Sequence, residues 1–150
     1  MRGLLIRLAL PTEKPELEQL QRRASLENKG DRDALLAHPD AIQVPVEQIT
    51  GGRVFVSEWE GAIVGFAAIE PRGDGDTELD GLFVEPRMQR RGIGQSLIAH
   101  CSEVARKQRA TAIHVVGNPH ATGFYAACGF KVVGTKETRF GQGFLMRKPV

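Results

Sequence analysis

Short apolar runs alternate with amphipathic helical segments along most of this chain. Residues typical of β-strands recur at 4–10, 53–59, 62–69, 78–84, 112–116, 131–135 and 143–148. Apolar positions follow helical spacing over 12–24, 33–37, 93–109 and 118–129, and Thr12 is a candidate cap for the first of these helices. No period is evident over 38–52. The order β-α-α-β-β-β-α-β-α-β-β predicts a mixed α/β (α+β) fold in which helices cover one sheet.

Length, charge and cysteine content narrow the class of protein. The chain has 150 residues, which suits a single domain over residues 1–150 with its own core. Its 20 Lys and Arg against 18 Asp and Glu leave a net charge of +2, which argues against a bulk polyanion binder. The uncharged apolar stretch 61–69 is too short for a membrane span, which needs ~20 residues. Two cysteines make no disulfide framework and no export signal is evident, so we expect a cytoplasmic protein.

A glycine-rich turn connects the strand at 78–84 to the long helix at 93–109. It contains Gly92 and Gly94, and glycines at a helix start let a ligand approach the backbone closely. The unpaired amides and the helix dipole at such a start favour a phosphate, and Arg87, Arg90 and Arg91 add positive charge. A solvated basic turn in which glycine serves geometry alone is the other interpretation.

Two common nucleotide-binding motifs do not fit this turn. Leu97 stands where a dinucleotide fingerprint needs its third glycine, and 110–118 lacks the acid that such a site requires. The chain has no Gly-Lys-Ser/Thr run, which a P-loop needs. A phosphate-bearing ligand of another kind therefore remains.

At this point the chain resembles the GCN5-related N-acetyltransferase (GNAT) superfamily. Gln89-x-x-Gly92-x-Gly94 matches the family's acetyl-CoA motif, Q/R-x-x-G-x-G/A, and residues 79–86 look like its fourth strand. Asn118-x-x-Ala121-x-x-Phe124-Tyr125-x-x-x-Gly129-Phe130 is similar to its second signature. The resemblance implies the GNAT fold, a single mixed, mostly antiparallel sheet of about seven strands flanked by about four helices. In that fold the fourth and fifth strands splay apart.

The resemblance implies an N-acetyltransferase that moves an acetyl group from acetyl-CoA to a primary amine of a small molecule or peptide. Attack would be direct, in a ternary complex, without a metal. The 89–94 amides would hold the pyrophosphate, strand 82–84 would pair with the pantetheine arm, and the acceptor would approach over 7–36 and 38–52. The cofactor-binding residues that it implies are Leu82, Phe83, Val84, Gln89, Arg90, Arg91, Gly92, Ile93, Gly94, Gln95, Asn118, Ala121, Phe124 and Tyr125.

Three side chains are candidates for the chemistry. Tyr125, the only tyrosine in the chain, stands where the family places its general acid, although an amphipathic helix also buries aromatics for packing. Glu78 falls where histone-type members carry a catalytic glutamate, and Asp80 shares its face if the strand is regular. Surface charge is the alternative for both acids. His114 is more typical of a satisfied core histidine than of a base, and Cys128 is more typical of core packing than of a nucleophile.

Other classes of function stay open from the sequence. A non-catalytic coenzyme-A-binding regulatory module on the same fold would bind without turnover, and its function would be indifferent to Tyr125→Phe. A nucleic-acid binder is disfavoured by the near-neutral charge and the lack of aromatics interleaved with the arginines. We expect an amine as the partner, with neither nucleic acid nor membrane, and the resemblance also admits a homodimer through the last strands.

Overall fold

The computed structural model describes residues 2–150, and of Lys29 only the backbone. Its strands are β1 (Leu5–Leu8), β2 (Val54–Trp59), β3 (Ala62–Pro71), β4 (Thr77–Val84), β5 (Ala112–Gly117), β6 (Lys131–Thr138) and β7 (Gly141–Pro149). Its α-helices are α1 (Lys14–Leu26), α2 (Lys29–Ala37), α3 (Val46–Thr50), α4 (Ile93–Lys107) and α5 (Thr122–Ala127). Within residues 2–150, no helix has the length and apolar character needed to cross a bilayer.

The strands form one sheet in the order β1-β2-β3-β4-β5-β7-β6. The β4–β5 pair is parallel, whereas β1–β2, β2–β3, β5–β7 and β6–β7 are antiparallel. The mixed, mostly antiparallel sheet expected from the sequence is therefore confirmed. By compactness the chain divides into a first unit, Met1–Ala68 with Gly81–Leu97, and a second unit, Ile69–Asp80 with Ile98–Val150.

The core of the first unit joins α1 to strands β2 and β3. Leu17 and Leu20 lie three residues apart and so on one face of α1, and they cluster with Val54, Val56 and Phe66. All five side chains are at most 1% exposed. Burying one such side chain contributes roughly 1.5–3 kcal/mol, so this cluster holds α1 against the sheet.

The start of α1 is fixed by an acid rather than by Thr12. A short 3₁₀ turn, Pro11–Glu13, precedes the helix, and Glu13 occupies the cap position without capping α1 through its side chain. Its carboxylate instead accepts the Leu10 N–H at 2.7 Å and the Arg7 guanidinium at 2.8 and 3.0 Å. The Arg7 hydrogen bonds hold the pKa of Glu13 below its ordinary value. The predicted Thr12 cap is wrong, because the charged pair ties β1 to this turn.

The second unit is built on β5, β6 and β7. β5 pairs with β7 from Ala112 opposite Pro149 to Gly117 opposite Phe144, and β6 follows as the edge strand. Ile98 and Cys101 of α4 and Ile113 of β5 are at most 1% exposed. Burial raises the pKa of Cys101 to about 12, so its thiol acts as a packing group.

The ladder between β4 and β5 is short. Among the described residues it consists of two pairs, Thr77 with Ile113 and Glu78 with His114. Both pairs lie within the second unit.

Candidate active site

The glycine-rich turn after β4 has a bent backbone at the start of α4. Arg90 and Gly92 adopt left-handed φ angles of 64° and 82°, a region that glycine enters without steric cost. Ser96 donates its N–H and its hydroxyl to the Gly92 carbonyl at 3.0 and 2.9 Å, which closes the first helical turn. The predicted break and helix start are thus confirmed at Gly92.

This turn presents unpaired backbone donors. In residues 2–150, no backbone acceptor is found for the amides of Gly92, Ile93, Gly94 and Gln95, as is general for the first turn of a helix. Arg87, Arg90 and Arg91 are exposed beside them in sequence. The amides, the helix dipole and the guanidinium groups all favour an anion such as a pyrophosphate.

Close packing beneath the turn depends on a glycine in β3. A Cβ added at Gly65 would lie 2.8 Å from Ser57 Oγ, 3.1 Å from Ile93 Cγ2 and 3.1 Å from the Phe83 carbonyl oxygen. Ile93 itself is 1% exposed. Only a residue without a side chain lets β3 approach the first residue of α4 this closely, so Gly65 positions the turn.

The strand before the turn offers its backbone. Leu82, Phe83 and Val84 are half-buried, and the Phe83 ring lies 5.3 Å from the ring of Phe66 in the first unit's core. The Glu85 N–H donates to the Val64 carbonyl at 2.9 Å, which ties the end of β4 to β3. Since the Phe83 side chain is used for packing, the polar contacts that this strand can offer a ligand are those of its main chain.

An ion pair lines a groove of about 510 Å³ at the end of β4. Arg23 of α1 donates to the Glu85 carboxylate through Nη2 at 2.7 Å and Nε at 3.1 Å. Leu26, Glu27, Pro86 and Arg87 complete the lining. Sequence reasoning missed this pair, because the two residues are 62 positions apart and no local pattern relates them.

Tyr125 of α5 is half-buried, and its ring makes packing contacts. Its ring centroid lies 5.4 Å from that of Phe124 and 5.5 Å from that of Phe130, both edge-on. A Cβ added at Gly117 would lie 3.4 Å from Tyr125 Cδ2, so the ring rests against the end of β5. Gly129, at φ 101°, ends the helix as predicted, while the Phe130 N–H donates to the Tyr125 carbonyl at 3.1 Å. These contacts fix both the ring and the backbone of Tyr125.

The other residues of the 118–130 signature are more exposed to solvent than the sequence predicted. Asn118 occupies the cap of a 3₁₀ turn, Pro119–Ala121, but its side chain does not cap it. No residue of α5 is buried, and Phe124 is 39% exposed, so the apolar face predicted for this helix is only partly covered. Cys128 is half-buried, and burial raises the pKa of its thiol, as for a packing residue.

Glu78 and Asp80 lie on one face of β4. Burial alternates along the strand, with Thr77 and Leu79 buried, Glu78 half-buried and Asp80 exposed. The Glu78 carboxylate accepts Arg72 Nη1 at 2.8 Å, and the same guanidinium lies 3.2 Å from Asp74. The regular alternation confirms that the two acids share a face, and the ion pair with Arg72 is a contact that sequence reasoning missed.

His114 is held by a carboxylate that sequence reasoning also missed. Its Nε2 lies 2.8 Å from Oδ2 of Asp76, while Oδ1 accepts the Thr111 N–H, the Thr111 hydroxyl and the Ala112 N–H at 2.9, 2.9 and 3.1 Å. These bonds, that from His114 foremost, hold the pKa of Asp76 below its ordinary value. The Asp76 contacts span 35 positions and more, so no sequence period signals them.

Asp74, Asp76 and His114 also form a group that could hold a metal. One ligand atom of each lies within 4.8 Å of the others. Hydrogen bonds already engage these atoms, because Arg72 Nε lies 3.2 Å from Asp74 Oδ2 and His114 binds Asp76. The geometry is therefore that of a hydrogen-bonded network in which the Arg72 guanidinium, rather than a metal ion, supplies the positive charge.

Comparisons with known proteins agree with this geometry. A model of the acetyltransferase (GNAT) family matches residues 15–130. A GCN5-related N-acetyltransferase from Rhodopseudomonas palustris is similar over 100% of this chain and 98% of its own, with 21% identity and a TM-score of 0.81. The PaiA N-acetyltransferase of Thermoplasma acidophilum in complex with coenzyme A is similar over 98% and 99%, with 17% identity and a TM-score of 0.78.

A third similar structure is the ribosomal-protein-S18-alanine N-acetyltransferase of Escherichia coli. It aligns over 98% of this chain and 94% of its own, with 19% identity and a TM-score of 0.71. At such identities these likenesses establish the fold. No curated protein sequence matches the chain.

Proposed function

Because this chain belongs to the acetyltransferase (GNAT) family, we propose that it transfers an acetyl group from acetyl-CoA to a primary amine of a small molecule or peptide, by direct attack in a ternary complex. The observation that carries the proposal is the bent turn at Gly92, whose unpaired amides and neighbouring arginines suit a pyrophosphate. The coenzyme A in the similar Thermoplasma acidophilum structure supports it.

Each part of the cofactor has a proposed group to bind it. The amides of the 89–94 turn hold the pyrophosphate, chiefly the unpaired ones of Gly92, Ile93 and Gly94, and exposed Arg90 and Arg91 add charge. The main chain of Leu82, Phe83 and Val84 pairs with the pantetheine arm, to which Asn118 also binds. Ala121 and Phe124 give the cofactor apolar contact. Leu82, Phe83 and Val84 are half-buried residues, which supports this assignment.

The chemistry needs three things that these residues can supply. An ordinary amine has a pKa near ~10.4, so the acceptor must lose a proton before it attacks. The oxyanion of the tetrahedral intermediate takes a hydrogen bond from the main-chain N–H near Val84. Tyr125 donates a proton to the departing thiolate. Glu78 and Asp80 are the acids carried over from the sequence as acceptors of the amine's proton.

The test is release of free thiol from acetyl-CoA across a panel of amines, with wild type and Tyr125→Phe side by side. The names of similar structures guide the panel, which includes an alanine-terminated peptide and aminoglycosides beside polyamines, amino acids and arylamines. We expect turnover on one class and a large loss in the variant. Acetyl-CoA that raises the melting temperature without any turnover across the panel would favour a non-catalytic coenzyme-A-binding module instead.

A further inference from the structure

A histidine–carboxylate pair in the second unit has no role in the scheme above. The His114 and Asp76 side chains are 15% and 13% exposed, and their Nε2–Oδ2 distance is 2.8 Å. Four hydrogen bonds hold the Asp76 carboxylate, three of them from Thr111 and Ala112 at the start of β5. The aspartate is therefore a fixed orienting group for the imidazole.

This arrangement selects one tautomer of His114. An ionised carboxylate only accepts hydrogen bonds, so the neutral ring must carry its proton on Nε2 and its lone pair on Nδ1. Among residues 2–150, the fully buried polar side-chain atoms without a hydrogen bond are Arg53 Nε and Ser57 Oγ. Nδ1 of His114 is not one of them, and no donor from the described residues lies within hydrogen-bond distance of it, so Nδ1 keeps some contact with solvent.

The ring lies at the last pair of the β4–β5 ladder. His114 pairs with Glu78 of β4 on one side and with Arg147 of β7 on the other. In-register neighbours point to the same side of a sheet, so these two charges flank the imidazole. Asp76 completes its surroundings, with Arg72 and Asp74 next to Glu78 and Asp76.

Within the second unit, His114 and Tyr125 lie on opposite faces of β5. Lys148 pairs with Ile113 and donates to Ser102 of α4 at 3.3 Å, so the Ile113 face carries the helix. Tyr125 rests against Gly117, which lies four residues after Ile113 and therefore on the same face of β5. His114 is the next residue after Ile113, so its side chain points to the opposite face. The leaving sulfur needs an acid and the attacking nitrogen needs a base. Tyr125 and His114 lie on different faces of the strand, so each can serve one of these two atoms.

We propose that His114, oriented by Asp76, is the general base of the reaction and takes the acceptor's proton directly or through one water. The inference rests on the proposed acetyl transfer. In this inference His114 replaces Glu78 and Asp80 as the acceptor of the amine's proton. Arg72 already binds the Glu78 carboxylate, and Asp80 is exposed. Asp76 is a positioning residue, since it acts through the ring.

The proton and electron pairs balance. Nδ1 takes one proton from the ammonium, and the freed nitrogen lone pair forms a bond to the thioester carbon. The C–S bond then breaks, and the thiolate receives the Tyr125 hydroxyl proton. The second amine proton, released as the intermediate collapses, restores that hydroxyl. His114 passes the first proton to solvent.

The experiment compares His114→Gln, Asp76→Asn and Glu78→Gln by kcat/KM from pH 6 to 10, on the amine that wild type accepts. Gln keeps a donor toward Asp76. We expect His114→Gln to lose about 100-fold or more at pH 7, and the loss to shrink toward pH 10, where the amine supplies its own neutral form. Asp76→Asn should follow His114→Gln, because its amide favours the wrong tautomer. Glu78→Gln tests the competing base. Glu103→Gln, in an exposed pair on α4, is the control that should keep the wild-type profile.

Several results would overturn the inference. The first is an equal loss for His114→Gln at every pH, which indicates a structural role. The second is a pH-dependent loss in Glu78→Gln instead. Nitrogen-resolved NMR of His114 gives an independent readout, because a protonated Nδ1 in the neutral ring contradicts the geometry. Loss of wild-type activity with a chelator would make the ring a metal ligand and also overturn it. A wild type inactive on all amines would remove the acetyl transfer and this inference together, whereas an active wild type with an active His114→Gln removes the base alone.

Discussion

Arg23 near the end of α1 binds Glu85 at the end of β4 through two nitrogens, and the shortest distance is 2.7 Å. Glu85 precedes Pro86 and the glycine-rich turn, and its own N–H is held by Val64. The carboxylate is 13% exposed although the guanidinium is 49% exposed. The pair therefore sets how the chain leaves the sheet before it reaches the proposed pyrophosphate site.

Removal of this pair should weaken cofactor binding more than it weakens folding. We expect Glu85→Gln to raise the Kd for acetyl-CoA several-fold and to lower the free energy of unfolding by about 0.5–1 kcal/mol. Calorimetric titration and urea unfolding measure the two effects. Glu103→Gln is the matched control, because its pair with Arg106 is exposed and lies near the end of α4. An equal loss of affinity in both variants would contradict the role of the Arg23 pair.

The backbone bend at Gly92 should matter to the cofactor rather than to stability alone. Gly92 and Gly61 have φ angles of 82° and 78°, and a Cβ added to either meets nothing within 4 Å. Alanine at either position should cost about 1–2 kcal/mol of stability, because left-handed backbone is strained for it. Only Gly92→Ala should also weaken acetyl-CoA binding, by about 10-fold, because it moves amides of the anion site.

Thermal melts with and without acetyl-CoA separate these two effects. Both variants should melt earlier than wild type without the ligand. The increase in melting temperature on adding acetyl-CoA should persist in Gly61→Ala and diminish in Gly92→Ala. A full increase in Gly92→Ala would show that the bend does not shape the binding site.

The ring of Tyr125 should be sensitive to the volume at Gly117. A Cβ there would lie 3.3 Å from Met146 Sδ and 3.4 Å from Tyr125 Cδ2, so Met146 must give by a few tenths of an ångström and the methyl group fills the space against the ring. We expect Gly117→Ala to lower kcat by about 10-fold, because a general acid works only within hydrogen-bond reach. KM for acetyl-CoA should change little. Gly134→Ala on β6 is the control, since its Cβ would meet Leu145 at 3.4 Å. Steady-state kinetics in which the two variants behave alike would count against the acid role.

Acid should remove the stabilising effect of Glu13. Its folded-state pKa is lowered, foremost by the Arg7 hydrogen bonds, so its contribution is complete above the unfolded-state pKa and is lost as the pH falls through the folded value. Glu13→Gln should cost about 1–2 kcal/mol at pH 7, and the difference from wild type should narrow below about pH 4. Urea unfolding from pH 3 to 7 checks this. Glu16→Gln, at an exposed position of the same helix, should show no such pH trend.

Sequence reasoning identified the long, strongly periodic elements and missed the short ones. Residues 93–109 carry several turns of one apolar face, so α4 was evident from its pattern. α3 has only five residues, Val46–Thr50, which is too few to establish a period, and tertiary burial of Ile49 holds it in place. α2 begins at Lys29, earlier than predicted, because the Asn28 side chain accepts the Gly30 N–H and starts the helix in a segment that resembles a break.

The same contrast between local pattern and long-range contact applies to the residues of the candidate site. Gly92 and Gly129 were predictable, because each supplies a backbone angle that other residues avoid. The partners Arg72, Asp76 and Arg23 were not, because each contact joins a loop or helix end to another element at a distance that no local spacing encodes. Side-chain pairing across the fold depends on three-dimensional register, and a single sequence carries no direct trace of it.

The hydrogen bonds from Thr111 and Ala112 to the Asp76 carboxylate, here called the Asp76 clamp, also bear on the order of folding. The Asp76 oxygens bind Thr111 and Ala112, at least 35 positions along the chain, and two residue pairs of the β4–β5 ladder accompany them in the part of the chain that the structure describes. The intervening segment, which contains α4, must close on itself before the carboxylate can meet its donors, and that closure costs chain entropy in advance. We therefore expect the clamp to form after the folding transition state. In stopped-flow measurements Asp76→Asn should accelerate unfolding far more than it slows refolding, and the clamp then governs how long the native second unit lasts.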